Sequence, residues 1–211
     1  SYFNIKEHRW DIAKTAQIAI EPKHIHIDNF LMKRDNQFIS VDGALSEIQS
    51  ESLVIQTNDF QLEDFSEIIS LSGGLKGVVN ARVVLSDPYT NMRFIGEAEI
   101  ANFYVNNQEV GDVNVGGYWD KAKESINLNG DLIYKKEKTF TFHGDYYTKR
   151  KKNNLDFILD FDHTDIQFVN AFMDPLVVSN IKGLLSGNIQ VTGSLQEPEI
   201  YGNVLLNGGN A

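Results

Sequence analysis

Apolar and polar residues alternate along most of this chain. Between Leu75 and Ser86 the odd-numbered residues are apolar or glycine, whereas the even-numbered ones include Lys76, Asn80 and Arg82. The same period of two runs through residues 126–134, 140–146, 155–161, 181–195 and 200–206. A period of two with one polar side predicts half-buried β-strands, which favour antiparallel pairing.

Turn-forming residues separate these segments. Asn106-Asn107, Asn129-Gly130 and Asn153-Asn154 stand at or between the alternating runs, at turn-like places. Strands paired in sequence order would place all their apolar sides on one face of one sheet. That face needs a cover. A closed or two-layered sheet with a filled core is one solution, and an open groove with an apolar interior is the other.

Two features favour the open groove. The predicted strands are long, since twelve residues span roughly 40 Å, and the apolar side carries many glycines, which fill space poorly. These are Gly77, Gly96, Gly130, Gly144, Gly183, Gly187, Gly193 and Gly202. We therefore predict a mostly β fold: a long antiparallel sheet folded into an open groove with an apolar interior, with two short helices.

An internal repeat organises the chain. Gly77 and Gly96 are matched, 106 residues later, by Gly183 and Gly202. At the same offset Asn58-Asp59-Phe60-Gln61 meets Thr164-Asp165-Ile166-Gln167, and each predicts a helix N-terminus. Each is predicted to continue as a short helix with an apolar side: Phe60, Phe65, Ile68 and Ile69 in the first, and Ile166, Val169, Phe172 and Met173 before Pro175 in the second. The predicted divisions are residues 1–57, 58–163 and 164–211 of one continuous β structure.

Composition excludes several function classes. The 211 residues carry a net charge of −10, which argues against nucleic acid as a partner. No cysteine is available for a disulfide or a thiolate metal site. No apolar run is long enough to span a membrane. We expect the chain to be a fragment whose export signal or membrane anchor lies outside it.

One enzyme signature occurs in the sequence. Residues 157–164 look like the first motif of haloacid-dehalogenase-type phosphatases, with Asp160 as nucleophile and Asp162 as general acid. Those phosphatases bury that strand on both faces of a parallel sheet, whereas Asp156, Asp160 and Asp162 here share the polar side of an alternating strand. No later acidic pair is present to hold magnesium. The sequence therefore predicts no enzyme and no cofactor.

Two other groups of residues are candidates for metal binding and for sugar binding. His24 and His26 lie on one side of a predicted strand at a spacing that some metal sites use, with Glu21 or Asp28 as a third ligand. Two solvated histidines are the commoner interpretation, and we predict no metal. Trp10, Trp119 and the Tyr146-Tyr147 pair offer a sugar-stacking platform, although core packing explains Trp119 more simply.

The apolar side of the predicted sheet is the candidate functional site. A continuous apolar groove would shield acyl chains, and no catalyst is needed for that role. The predicted lining residues are Leu75, Val79, Val83, Leu85, Phe94, Ile100, Ile126, Leu128, Leu132, Phe140, Phe142, Leu155, Phe157, Leu159, Phe161, Ile181, Leu185, Ile189, Val191, Ile200, Val204 and Leu206.

Taken together, the alternating strands, the two predicted helix starts and the repeated glycines resemble the TamB family (translocation and assembly module) of the AsmA-like superfamily, and most closely its Bacteroidetes-type members. The most specific part of the likeness runs from Gly183 to Gly202, as G-x-x-x-G-x-(I/V)-x-(V/I)-x-G-(S/T)-(L/x)-x-x-P-x-x-x-G. The first repeat departs from this pattern, because Ala81 and Asp87 replace the second and third glycines.

The resemblance implies a fragment of a long periplasmic protein, anchored in the inner membrane and reaching toward a TamA-like outer-membrane barrel protein. It implies phospholipid, or another amphiphile, carried in a folded β groove between the two membranes. The alternative role it implies is a scaffold that pairs strands with outer-membrane β-barrel proteins during their assembly. The family has no catalytic residues to carry over.

Overall fold

A computed structural model of the chain describes residues 2–5, 7–65, 74–89, 93–172, 181–194 and 196–210. These described residues form fourteen strands, one helical turn and one 3-10 helix. The strands are β1 (Tyr2–Ile5), β2 (His8–Ile12), β3 (Gln17–Glu21), β4 (His24–Arg34), β5 (Gln37–Leu45), β6 (Leu53–Gln61), β7 (Leu75–Ser86), β8 (Arg93–Val105), β9 (Gln108–Asp120), β10 (Ser125–Tyr134), β11 (Glu137–Tyr146), β12 (Leu155–Asp165), β13 (Lys182–Gly193) and β14 (Pro198–Asn210). The helices are α1 (Leu62–Phe65) and η1 (Ile166–Phe172).

All fourteen strands belong to one antiparallel sheet. From β4 to β14 each strand pairs with the next in the chain, while β2 and β3 both pair with β4, and β1 pairs with β2. The sheet remains open, with β1 and β3 at one edge and β14 at the other. The predicted fold class, a long antiparallel sheet that does not close on itself, is confirmed.

The cross-strand register separates the two sides of the sheet as the alternation predicts. Val79 lies opposite Ile100, which lies opposite Val113, and the row continues through Leu132 and Phe140. On the other side Arg82 lies opposite Glu97 and Glu97 opposite Gly116. We call these sides the apolar face and the polar face.

β-bulges on four strands share one construction. In β4, β6, β8 and β12 a residue with positive φ interrupts the ladder: Asn29, Asp59, Asn102 and His163. Each of their amides donates a hydrogen bond to a side chain of the following strand, namely Asp42, Asn80, Asp112 and Ser186. Bulges bend and twist the strands that carry them, so this device curves the sheet at these four strands.

The first predicted helix begins later than the sequence suggests. Residues 58–61 belong to β6, and α1 is a single turn after it. The expected N-cap at Asn58 is therefore wrong. Asp59 takes a positive φ of 49° within a bulge, and its amide is bound by Asn80. The turn is held instead by Asp64, which is 7% exposed and accepts a 2.7 Å hydrogen bond from the Arg34 guanidinium.

The second predicted helix is η1. Its cap is Asp165, the last residue of β12, whose Oδ1 accepts a 3.0 Å hydrogen bond from the Gln167 amide. Thr164 lies within β12 and donates its hydroxyl to the Thr139 carbonyl. Phe168 and Ala171 are buried. The predicted positions Ile68, Ile69, Met173 and Pro175 lie outside the described residues.

The sheet curls toward its apolar face. Helix η1 is seven residues long and packs on β8 and β9 as well as on β13. In a flat sheet β8 and β13 would lie roughly 24 Å apart, more than a 3-10 helix of this length spans at about 2 Å per residue. Trp10 of β2 and Phe60 of β6 have ring centroids 6.2 Å apart, although two strands lie between theirs.

Two clusters of buried apolar side chains lie at these contacts. Phe168, Ala171, Val105, Val110, Leu132 and Phe161 form one around η1. Ile5, Trp10 and Met32 form the other, against Phe60. Among the helices of the described segments, none has the length and apolar character required to cross a membrane.

The internal repeat is visible in the structure. Gly77 in β7 and Gly183 in β13 both lie at register shifts near the start of their strands and have positive φ. Asn102 in β8 and Gly208 in β14, again 106 residues apart, have φ values of 50° and 65°. Strands β7–β8 and β13–β14 are therefore equivalent pairs with matching irregularities.

Candidate functional site

The predicted lining residues lie on one face of the sheet. One row joins Phe60, Val79, Ile100, Val113, Leu132, Phe140, Phe161, Gly187 and Val204. A second row joins Val41, Ile55, Val83, Gly96, Gly117, Leu128, Gly144, Phe157, Val191 and Ile200. Ile181 differs from the rest, since it precedes β13 and its amide donates to the side chain of Asn170.

The two rows differ in how they are covered. Leu132 and Phe161 of the first row are buried in the cluster around η1. No side chain of the second row is fully buried: Val83, Leu128, Phe157 and Val191 are partly covered, and Ile200 is 66% exposed. The second row crosses ten strands, roughly 40 Å at the usual strand spacing. The apolar face is therefore capped along one side and accessible along the other.

Phenyl rings cover several glycines of the apolar face. Phe142 lies opposite Gly130 and Phe157 opposite Gly144. A Cβ placed at Gly130 or Gly144 would stand 2.6 or 2.8 Å from those rings. The expectation that these glycines leave the face poorly filled is wrong at these two positions, because the rings of the neighbouring strand occupy the space.

The two aspartates of the phosphatase-like motif lie on different local structures. Asp160 is on the polar face opposite Thr141 and Asn188, with Oδ2 3.8 Å from Nδ1 of His143. Asp162 falls in the β12 bulge, where Oδ1 lies 2.7 Å from Nδ1 of His163. The strand belongs to an antiparallel sheet with one polar face, as the alternation predicts.

The histidine pair lies on the polar face of β4. The rings of His24 and His26 are 6.2 Å apart, and Nε2 of His26 is 2.9 Å from Oδ1 of Asp28. The described residues hold no group of three or more metal-ligating side chains. Trp10 is fully buried and Trp119 lies opposite Ile126, so the structure does not bring the candidate sugar-stacking residues together.

A buried carboxylate organises the start of β10. Asp145 is 6% exposed and accepts hydrogen bonds from Lys123 Nζ at 2.7 Å, Ser125 Oγ at 2.9 Å and Asn127 Nδ2 at 3.2 Å. Burial acts to raise the pKa of Asp145, but these hydrogen bonds and the Lys123 charge outweigh it and hold the pKa below its ordinary value. The same contact with Asp145 raises the pKa of Lys123. The sequence offered no signal for this cluster, which depends on strand register.

The edge strand β14 is exposed on both faces. Ile200, Val204 and Leu206 on its apolar side are 66%, 46% and 47% exposed, and Tyr201 and Leu205 on the other are 56% and 61% exposed. In the first repeat the equivalent strand, β8, has its corresponding edge occupied by β9. An unpaired edge of this length carries a row of free backbone groups and can accept another strand.

Comparison of the chain with protein-family models, with curated proteins and with solved structures found no match.

Proposed function

We propose that the apolar face holds the acyl chains of a phospholipid or a similar amphiphile, and that this chain is a module of a TamB-like protein. In this proposal the parent protein is anchored in the inner membrane and carries lipid across the periplasm toward a TamA-like outer-membrane partner. The observation that carries the proposal is the second apolar row, which crosses ten strands without full burial of any of its side chains.

The acyl chain of a lipid has to be shielded from water along its whole path. Exposing a sixteen-carbon chain to water costs on the order of 10 kcal/mol, at about 0.8 kcal/mol per methylene. A row of apolar side chains and glycines that crosses successive strands removes most of that cost along the sheet. Contiguous exposed apolar surface of this size on a protein usually marks a binding site.

The test compares two double variants with the same change in charge. Leu128→Asp with Val191→Asp places carboxylates in the second apolar row. Asn129→Asp with Gln190→Asp, the adjacent residues of the same strands, places them on the polar face. Each protein is purified from cells, extracted with organic solvent and analysed by mass spectrometry for bound phospholipid.

We expect phospholipid near one per protein in the unmodified chain and in the polar-face variant, and a loss of tenfold or more in the apolar-face variant. Far-UV circular dichroism and thermal unfolding establish that both variants are folded. A lipid-free unmodified chain, or equal lipid in both folded variants, would contradict the proposal.

A second function is favoured by the edge strand β14. Because β9 occupies the equivalent edge of β8, a peptide with the sequence of Gln108–Asp120 is the natural probe of a strand-pairing scaffold. We expect that peptide, but not a scrambled one, to bind the chain and to lose affinity when Tyr201 and Leu205 are both replaced by lysine. Lipid content should be unchanged in that variant, which separates the two functions. No binding of the peptide would exclude strand addition at this edge.

A further inference from the structure

The polar face of β6–β10 contains two adjoining open depressions of about 660 and 420 Å³. They share Arg82, Glu97, Gly116 and Asn129 among their lining residues. Glu97, Gly116 and Asn129 are successive cross-strand partners, so the depressions are centred on Gly116, in the middle of β9. This surface lies on the side of the sheet opposite to the proposed lipid groove.

Neither the backbone conformation nor the packing requires a glycine at position 116. Its φ does not lie in the left-handed region, and an added Cβ would first meet Asn129 Oδ1 at 3.6 Å, an ordinary contact. Its neighbour Gly117, on the apolar face, differs, because a Cβ there would stand 2.5 Å from Leu128. A glycine inside a strand without such a reason often marks a place where a ligand approaches the backbone.

The groups around Gly116 are available for hydrogen bonds. Within the described part of the chain, the side chains of Gln56, Arg82, Glu97 and Asn129 make no hydrogen bond or ion pair. Gln56 lies opposite Arg82 and Arg82 opposite Glu97, so the four line up across the strands. Amides both donate and accept, the guanidinium donates and the carboxylate accepts. Such a set of groups can hydrogen-bond to hydroxyl groups, which also both donate and accept hydrogen bonds.

An apolar shelf borders this polar group. Val84 lies opposite Ile95 and Ile95 opposite Tyr118, all on the polar face, where the alternation would otherwise place polar residues. Ile95 is 62% exposed and Tyr118 is 46% exposed. An exposed tyrosine ring offers a flat apolar surface with a polar end. The C–H faces of pyranose rings suit such a surface, while their hydroxyl groups suit the neighbouring amides and charges.

The charge of this surface favours some classes of ligand over others. Glu97, Glu99 and Asp131 line the larger depression, whereas Arg82 is the one cation among its lining residues. The excess of negative charge disfavours phosphates, nucleotides and acidic sugars. From the open glycine, the row of available hydrogen-bonding groups, the apolar shelf and this charge, we propose that the polar face of β6–β10 is a binding site for an uncharged oligosaccharide.

The test measures binding of soluble tetrasaccharides by ¹H–¹⁵N correlation spectra and by isothermal titration calorimetry. The probes are cellotetraose, maltotetraose and the tetramer of N-acetylglucosamine, with tetragalacturonate as the acidic counterpart. At least one neutral probe should bind with a dissociation constant below 10 mM, an order-of-magnitude threshold for weak specific binding, and shift amide signals of β8 and β9. Tetragalacturonate should bind more weakly.

Two variants and one control locate the site. Tyr118→Ala removes the shelf ring and should weaken binding about tenfold, the equivalent of an aromatic contact of about 1.4 kcal/mol. Gly116→Gln fills the floor of the depression, fits the local backbone and should abolish binding. Tyr201→Ala removes an exposed tyrosine of the same face on β14, far from Gly116, and should leave binding unchanged. The proposal is overturned if no neutral probe binds, if the acidic probe binds more tightly, or if neither β9 variant weakens binding.

Discussion

The phenyl ring of Phe142 lies over Gly130, its direct cross-strand partner, so closely that a Cβ at residue 130 would stand 2.6 Å from Cζ of the ring. Such pairs of a glycine with an aromatic residue cover the backbone of the apolar face without adding a second layer. They also make some glycines of this sheet replaceable and others not.

The first prediction compares two such glycines. Gly130→Ala should lower the free energy of unfolding by about 1–3 kcal/mol, because the new methyl group overlaps the Phe142 ring and the Asn114 carbonyl. Gly116→Ala should raise it by about 0.4–1 kcal/mol, since the methyl group fits and the unfolded chain loses freedom. Urea denaturation measures both. Equal effects of the two substitutions would show that the ring does not occupy the space above Gly130.

The second prediction concerns the bulge in β8. Asn102 has a φ of 50°, and its amide donates a 2.7 Å hydrogen bond to Asp112. Asn102→Val should destabilise the chain by about 1–2 kcal/mol, because a β-branched residue is strained in this region. Asn102→Gly, the residue found at the equivalent position 208, should be tolerated. Thermal unfolding distinguishes them, and similar midpoints for the two variants would argue against the bulge.

The third prediction concerns the pH dependence from Asp145. The folded pKa of Asp145 is lowered, so its contribution to stability is fully present above the unfolded value of about 3.9 and is lost as pH falls through the folded pKa. Asp145→Asn should cost about 1–3 kcal/mol at pH 7, because buried donors lose their charged acceptor. This difference should shrink below about pH 4.

Asp156→Asn is the matched control for that measurement. Asp156 lies directly opposite Asp145, but its carboxylate accepts an exposed hydrogen bond from Gln190. Its replacement should change the free energy of unfolding by less than about 0.5 kcal/mol at either pH. A pH-independent difference for Asp145→Asn would mean that the carboxylate charge does not stabilise the fold.

The fourth prediction concerns the attachment of η1. The Asn170 side chain donates to the carbonyls of Gln167 and Ile181 and accepts from the Ile181 amide, at 2.8, 3.0 and 2.9 Å. Asn170→Ala removes the direct link between η1 and the start of β13 and should cost about 1–3 kcal/mol. Hydrogen exchange should become faster in η1 and at the start of β13 while β4–β6 stay protected. Unchanged protection of η1 would show that its packing alone holds it.

The sequence predicted the strands well because alternation is a local property. Residues 75–86 and 155–161 lie in strands as expected, and the predicted lining residues from Val79 to Val191, apart from Ile181, fall on one face. The helix predicted from Asn58 failed for a physical reason. Asn and Asp suit both helix caps and positive-φ bulges. Here the pairing of β6 with β7 on both sides of residues 58 and 59 favours the bulge.

The features of the polar face could not be predicted from the sequence. The alignment of Gln56, Arg82, Glu97 and Asn129 depends on the register of four strand pairs and on every hairpin between them. The Asp145 cluster likewise joins residues of neighbouring strands. Gly116-Gly117 was a local signal of the open position at Gly116, although Leu128 fills the space beside Gly117 on the apolar face.

The recurring bulges have a consequence for the size of the groove. In a closed cylinder of strands, the diameter follows from the number of strands and their stagger. Here each pair of strands with a bulge is bent locally, and the bend is stabilised by a hydrogen bond from the bulge amide to a side chain of the next strand. Asn29 donates to Asp42 in this way, and Asn102 donates to Asp112. Adding or removing whole hairpins would therefore change the length of the groove while leaving its diameter the same.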